Sequence, residues 1–180
     1  MDRQPILEGE RITLRPLDED DWDALYAVAS DPAVWEQHPA FDRSQAPVFR
    51  EFFADALAKG GALAVIDKAK DKIIGSSRFQ EHSVDDGGSV EIGWTFLSPS
   101  YWGRGFNAEM KRLMLAYAFQ FVDRVDFKVG ETNYRSQIAL ERIGAERTRR
   151  TDLSLYRGRR LLNIYFEITS ESFSNGPLMQ

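Results

Sequence analysis

Apolar positions recur along this chain first at a spacing of two residues and then at spacings of three and four. Alternation over 11–17 predicts a half-buried strand. Helical spacing predicts amphipathic helices over 22–29 and 47–59. The acidic run 18–21 favours a helix N-terminus before the first of these, and Gly60–Gly61 ends the second.

Further alternating and helical segments follow to the end of the chain. They predict, in order, strands 62–66, 73–79 and 90–97, a helix that follows 102–105 and extends to 122, strand 125–129, helix 133–143, and strands 146–154 and 161–169. Runs of consecutive strands favour antiparallel pairing, and the β-α-β segment in the middle favours one parallel pair. The sequence therefore predicts a mixed α/β (α+β) domain.

Composition narrows the class of protein. A length of 180 residues fits one domain spanning 1–180. The hydrophobic fraction of 43% and the abundance of aromatic residues exclude a disordered chain. The lack of cysteine excludes disulfides, thiolate zinc sites and cysteine nucleophiles, and two histidines leave little scope for a histidine metal site. No apolar run or N-terminal signal core is found, so we expect no membrane partner and a cytoplasmic location.

The net charge of −5 is unevenly distributed along the chain. Residues 1–100 carry 10 basic and 19 acidic side chains, whereas residues 101–160 carry 13 basic and 7 acidic ones. A basic segment in an acidic protein indicates either a local site for an anionic ligand or ordinary variation of the surface. Charge alone leaves both open.

The segment Trp102–Gly105 joins a predicted strand to a predicted helix. Two glycines permit a tight turn that comes close to a ligand, and the helix start offers free backbone N–H groups to phosphate oxygens. A plain glycine-rich connection is the alternative. The formal match of Gly103-x-Gly105-x-x-Ala108 to a dinucleotide fingerprint is weak, because residues 98–102 intervene between strand and glycines.

These residues resemble the acetyl-CoA signature Arg/Gln-x-x-Gly-x-Gly/Ala of the GNAT superfamily, the Gcn5-related N-acetyltransferases. The resemblance covers nearly the whole chain and is strongest with the branch that acetylates ribosomal-protein N-termini. The other segments that match the family pattern are residues 11–17, Ile74-Gly75, Glu91-Ile92-Gly93-Trp94, Asn133-x-x-Ser136 and residues 141–145.

The resemblance implies a GNAT fold, with a mostly antiparallel sheet of about six to seven strands flanked by helices and splayed to form an acetyl-CoA cleft. It implies acetyl-CoA as co-substrate without a metal, and direct transfer to an amine, either a protein N-terminus or a small amine, by a monomer or homodimer. The residues that it assigns to cofactor binding are Phe96, Leu97, Ser98, Trp102, Gly103, Arg104, Gly105, Phe106, Asn107, Asn133, Ser136 and Arg142.

The sequence departs from the family pattern at three positions. Trp102 occupies the usual Arg/Gln position, and Asn107 occupies the final Gly/Ala position. Because backbone N–H groups bind most of the pyrophosphate in this family, we expect the cofactor site to persist. Leu140 stands where many relatives carry a tyrosine proposed as general acid, so that role is unassigned.

Acetyl transfer to an amine requires a proton acceptor and benefits from a proton donor for the thiolate. Glu91 is the candidate base, because partial burial in an apolar strand would raise its pKa, and an outward-facing glutamate is the alternative. By resemblance, Ser136 is the candidate acid and Asn133 binds the pantetheine arm. Both residues also suit helix capping.

Three further features remain open. Arg142 is a candidate phosphate ligand, and His38 either lines the acceptor side or lies in a surface loop. The arginines over 147–160 form either a solvated face or a contact for an acidic acceptor. A non-catalytic acyl-CoA-binding module is the alternative function. The acidity of the chain argues against nucleic acid as a partner.

Overall fold

The computed structural model describes residues 1–180 and contains eight strands and five helices. The strands are β1 (Leu7–Glu8), β2 (Ile12–Pro16), β3 (Ala62–Asp67), β4 (Lys72–Ser83), β5 (Ser89–Leu97), β6 (Arg124–Gly130), β7 (Glu146–Tyr156) and β8 (Arg159–Thr169). The helices are α1 (Trp22–Ala29), α2 (Ala46–Lys59), α3 (Phe106–Ala118), α4 (Tyr134–Arg142) and α5 (Ser170–Ser174). No helix is long and apolar enough to cross a membrane.

All eight strands form one sheet in the order β1-β2-β3-β4-β5-β6-β8-β7. Only β5 and β6 are parallel, and every other neighbouring pair is antiparallel. This confirms the mixed, mostly antiparallel sheet that the sequence predicts. The eighth strand is β1, whose two residues are too few to show alternation.

Two boundaries differ from the sequence predictions by more than two residues. Helix α3 ends at Ala118, although apolar spacing extends the predicted helix to 122. Phe121 still packs on Tyr117, with ring centroids 5.2 Å apart, so the pattern continues after the helical backbone has ended. Strand β4 continues past 79, because Gln80 and Ser83 still pair with β5.

The sheet has a separate apolar core on each face. Helices α1 and α2 cover one face, with Phe49 and Phe53 packed near Phe96 of β5. Helix α3 covers the other face, where Met110 and Met114 are fully buried. A side chain on β4 or β5 therefore points either toward α1 and α2 or toward α3, according to its place in the alternation.

Strands β5 and β6 separate partway along their length. Their pairing is confined to the segment from Ser89 with Arg124 to Glu91 with Asp126. Beyond Glu91, β5 continues beside β4 but shifts register there, and Trp94 takes a left-handed φ of +51°. Such a bulge re-aims the strand. The result is the splayed pair of central strands expected from the resemblance, open toward the C-terminal ends of β5 and β6.

Candidate active site

The glycine turn lies at the open end of this cleft. A short 3₁₀ turn, Pro99–Tyr101, follows β5, and Gly105 then caps the N-terminus of α3. Gly103 and Gly105 have φ values of +68° and +84°, which residues other than glycine rarely adopt. A Cβ at Gly103 would meet no atom within 4 Å. The turn is exposed, and it presents the positive end of a 13-residue helix to solvent.

Arg11, which directly precedes β2, fixes the position of this turn. Its Nη1 donates to the carbonyl oxygen of Arg104 at 2.9 Å, and its Nε donates to Glu109 Oε2 at 2.8 Å. The backbone N–H of Arg11 donates to the other oxygen of Glu109. Because Glu109 lies in the first turn of α3, these bonds join the sheet edge to both the turn and the helix start.

Trp102, the first departure from the family pattern, has specific partners. Its Nε1 donates to the carbonyl oxygen of Leu97 at 2.9 Å, and the guanidinium of Arg135 lies 4.3 Å from its ring centroid. Trp102 therefore connects the end of β5 with the start of α4. An Arg or Gln at this position would lack the flat ring against which Arg135 packs.

The predicted pantetheine residues of β5 have mixed environments. Phe96 packs into the core of the α1–α2 face, 5.1 Å from the ring of Trp35. The N–H of Ser98 donates to Ile74 of β4 at 2.8 Å. The carbonyl of Leu97 accepts the Trp102 bond described above.

Helix α4 brings Asn133 and Ser136 together. Asn133 is buried, and its Oδ1 accepts from the backbone N–H of Ser136 at 3.3 Å, so it caps the helix. Neither the Asn133 amide nitrogen nor the Ser136 hydroxyl has a hydrogen-bond partner within the protein. Arg142 is exposed at the opposite end of α4, on the order of 10 Å from Arg135 along the helix axis. Leu140 is buried in the α3-side core.

Glu91 lies where β5 and β6 part. It is 9% exposed, and it leans along its own strand, so that a Cβ added at Gly93 would stand 3.1 Å from Oε1. Burial raises the pKa of Glu91 to about 7, although the nearby ammonium of Lys128 opposes the shift. A pKa near neutrality suits a group that accepts and releases a proton.

Lys111 is a residue that the sequence analysis missed. Its ammonium is buried and donates to Thr95 Oγ1 at 2.7 Å, and it lies 5.6 Å from the ring centroid of Phe127. It has no carboxylate partner, and burial lowers its pKa to about 7. The signal in the sequence was its helical spacing from Leu115 and Ala118, which are buried on the same stripe.

Arg78 of β4 is a second residue that the sequence analysis missed. It is 1% exposed and lies directly across from Gly93 in the β4–β5 register. Nη1 donates to Asp55 Oδ2 at 2.9 Å, whereas Nε and Nη2 are buried without a hydrogen-bond partner. A charged residue within the predicted strand 73–79 was the available signal.

The loop before α2 forms the neighbouring wall. His38 is half-buried against Trp35, and burial together with the Arg43 guanidinium lowers its pKa to about 3. Its Nδ1 accepts from the Ala40 N–H at 2.9 Å. The ring is thus a neutral packing element beside Arg43 and not a surface histidine.

The arginine-rich hairpin is mostly a solvated face. Arg150 pairs with Asp126 and Glu167, and Arg157 pairs with Asp42 at 2.6 Å. The other arginines of the hairpin, Arg147, Arg149, Arg159 and Arg160, are exposed. No group of three or more His, Asp or Glu side chains is arranged to hold a metal ion.

Comparison with known families adds a decisive observation. The family model described as the acetyltransferase (GNAT) domain matches residues 11–146, most of the chain. This chain belongs to the GNAT acetyltransferase family. Its structure is therefore that of an acetyl-CoA-dependent acyltransferase, which the sequence resemblance predicted.

Individual relatives agree with the family assignment. "Uncharacterized N-acetyltransferase p20" of Bacillus licheniformis is 33% identical over 135 residues, which cover 71% of this chain and 74% of that protein. A GCN5-related N-acetyltransferase from Brucella melitensis superposes with a TM-score of 0.79 at 24% identity, covering 94% of this GNAT chain and 80% of its own. Mycobacterium smegmatis RimJ, in complex with CoA-disulfide, superposes with a TM-score of 0.69 at 17% identity, covering 93% and 86%. The two structures support the fold.

Proposed function

We propose that this GNAT protein transfers an acetyl group from acetyl-CoA directly to an amine, either a protein N-terminus or a small amine, within a ternary complex, and that Glu91 accepts the proton of that amine. One observation carries the proposal most strongly. A buried carboxyl group with a pKa of about 7 lies where the two central strands part.

The cofactor side of the proposal rests on the turn and the cleft. The left-handed glycines leave space at Gly103 for a phosphate, and the exposed start of α3 supplies backbone N–H groups to its oxygens. Arg104 adds a cation at the same turn. By resemblance to the family, residues 96–98 and Asn107 complete the proposed cofactor site, with Phe96 contributing backbone groups because its side chain packs into the α1–α2 core. Arg142 is the least supported member of the predicted set, because it lies at the far end of α4.

Glu91 has the properties that a general base requires. An amine must lose a proton to attack a carbonyl carbon, and a base with a pKa near the working pH accepts it efficiently. Ionised Glu91 accepts this proton either directly or through one water. The nearby cation of Lys128 keeps enough of the carboxyl ionised for this role.

Ser136 is proposed to assist the departing thiolate. Its hydroxyl is free of protein partners, and it lies at the start of α4, at the C-terminal end of β6. Asn133 has a free amide nitrogen for the pantetheine arm while its oxygen caps the helix. Leu140 cannot donate a proton, so the proposed donor on α4 is Ser136, about one helical turn before it.

Direct transfer is preferred to a covalent enzyme intermediate. The chain has no cysteine, and its half-buried His38 is held neutral and engaged with backbone. No serine in the site has a histidine to activate it.

The test is a screen of amines and N-terminal peptides with acetyl-CoA, read as released CoA thiol and as acetylated product by mass spectrometry. We expect at least one acceptor to yield product in a 1:1 ratio with thiol. Binding of acetyl-CoA without thiol release across the whole panel would contradict the proposal and would favour an acyl-CoA-binding module, which the buried Leu140 otherwise suggests.

A further inference from the structure

The guanidinium of Arg78 is held in an unusual way. The ring centroid of Trp94 lies 4.8 Å from its Cζ, and that of Phe52 lies 5.6 Å away. Aromatic contacts of this kind leave hydrogen bonding to the edge of the guanidinium group. On that edge only Nη1 is bonded, to Asp55.

The unpartnered atoms are Nε and Nη2, which together form the side of the guanidinium that binds two oxygens at once. Leaving buried donors without a hydrogen-bond partner destabilises the folded protein. Native structures rarely retain such donors without a reason. A two-oxygen anion, such as a carboxylate, fits this edge and would satisfy both donors together.

A second arginine adds to the positive charge. Arg43 lies 4.7 Å from the ring centroid of the same Phe52 and forms no salt bridge. Burial lowers its pKa to about 10, which leaves it charged at neutral pH. The nearby carboxylates are already engaged, Asp55 with Lys59 and Asp42 with Arg157. This wall therefore carries one buried and one half-buried cation, Arg78 and Arg43, whose charge is only partly balanced.

Arg78 and Glu91 lie on the same face of the sheet, on neighbouring strands. Directly opposite residues of an antiparallel pair lie on the same face of the sheet, so Arg78 and Gly93 share the face toward α1 and α2. Glu91 leans over Gly93 on that face. Diagonal neighbours of this kind have Cα atoms about 7–8 Å apart. Glu91 and Arg78 are thus close enough along one face of the sheet for one small molecule or one terminal residue to place its amine near the first and its carboxylate near the second.

We propose that the acceptor of this enzyme is an amine that bears a carboxylate a few bonds from the nitrogen, as an amino acid does, and that Arg78, assisted by Arg43, binds that carboxylate. The inference rests on the proposed function for the location of the acceptor. Because Nε and Nη2 are closed off from solvent, this binding requires Trp94, which is half-buried on the bulge of β5, to move aside. Local charge thus favours an acceptor that carries a carboxylate, although the acidic N-terminal half of the chain suggests a purely cationic one.

Binding tests the carboxylate site independently of turnover. N-acetylated alanine, phenylalanine and aspartate are titrated in the presence of CoA against their C-terminal amides, with calorimetry and Trp fluorescence as readouts. For at least one pair we expect the free carboxylate to bind tenfold or more tightly than the amide. Arg78→Met and Arg78→Lys should each remove that preference, because lysine retains the charge without the two-donor edge. Arg50→Met, an exposed arginine of α2, is the control and should retain it.

Kinetics then identify the source of the carboxylate. Free amino acids, peptides that begin with Asp or with Asn, and a polyamine are compared by kcat/KM. A preference for the amino acids, or for Asp over Asn, that Arg78→Met abolishes would support the inference and would distinguish a small molecule from a peptide. Equal binding of carboxylates and amides in all three pairs, or a preference unchanged in Arg78→Met, would overturn it. Carboxylate-specific binding without any acetylated product would contradict the proposed function alone.

Discussion

The carboxyl group of Glu91 occupies the space that a side chain at Gly93 would fill, since a Cβ there would stand 3.1 Å from Oε1. Gly93 lies two residues further along β5 and directly across from Arg78. This single glycine thus lets the candidate base lean toward the candidate carboxylate site. The relationship makes the position of the carboxyl group testable without altering Glu91 itself.

Gly93→Ala should lower kcat by about tenfold, on the order of 1.4 kcal/mol in barrier, by displacing the Glu91 carboxyl. Acetyl-CoA affinity should change little, because the glycine turn is untouched. The measurement is steady-state kinetics with calorimetric binding of acetyl-CoA. In a Glu91→Gln background, Gly93→Ala should have little further effect, and an additive loss would show that it acts by another route.

Lys111→Met should change the pH dependence of stability. Burial lowers the pKa of Lys111 to about 7, whereas an unfolded lysine titrates near about 10.4. Between these values the unfolded chain binds more protons than the folded one, so the stability contributed by this group rises with pH. The Met variant should therefore be more stable than wild type below pH 7, and wild type should recover that difference toward pH 10.

Urea unfolding of both proteins from about pH 6 to about pH 10 measures this difference. Lys72→Met, at an exposed lysine of β4, is the matched control and should show no such trend. A stability difference between wild type and Lys111→Met that does not vary with pH would contradict the assignment of a depressed pKa.

Arg11→Met should loosen the glycine turn from the sheet. It removes the bonds to Glu109 and to the Arg104 carbonyl and leaves a largely buried carboxylate short of a partner. We expect a loss of about 1–3 kcal/mol in the free energy of unfolding and a higher KM for acetyl-CoA. Arg112→Met, at an exposed position of α3, is the control and should change neither. A normal KM in Arg11→Met would mean that the turn holds its shape without Arg11.

Substitutions of Asn133 and Ser136 should differ in their effects on the stability of the protein. Asn133→Ala removes a helix cap, which typically costs about 1 kcal/mol, and should also weaken acetyl-CoA binding. Ser136→Ala should leave stability nearly unchanged and lower kcat, because its hydroxyl has no partner in the protein. Thermal unfolding, calorimetry and turnover measure these effects, with Ser174→Ala as control. A double variant with normal affinity and turnover would exclude both roles.

Much of the fold was predictable because its signals are local. Alternation and helical spacing identified seven strands and four helices, and the glycine turn was recognisable from four consecutive residues. The proximity of Arg78 to Glu91 could not be predicted from the sequence, because it depends on the β4–β5 register and the bulge at Trp94. Likewise, Trp102 meets Arg135 only through tertiary packing.

The pH profile of kcat/KM for wild type and Glu91→Gln, measured with one acceptor, tests the central claim most directly. Using the same acceptor in both proteins cancels the titration of its amine. Wild-type activity should rise with pH through a pKa of about 7 as Glu91 ionises. Glu91→Gln should lose this rise and about 10²–10⁴-fold of the rate. The control Glu146→Gln, at an exposed glutamate of β7, should retain both the rise and the rate. A Glu91→Gln enzyme with the wild-type profile and rate would contradict the assignment of Glu91 as the base.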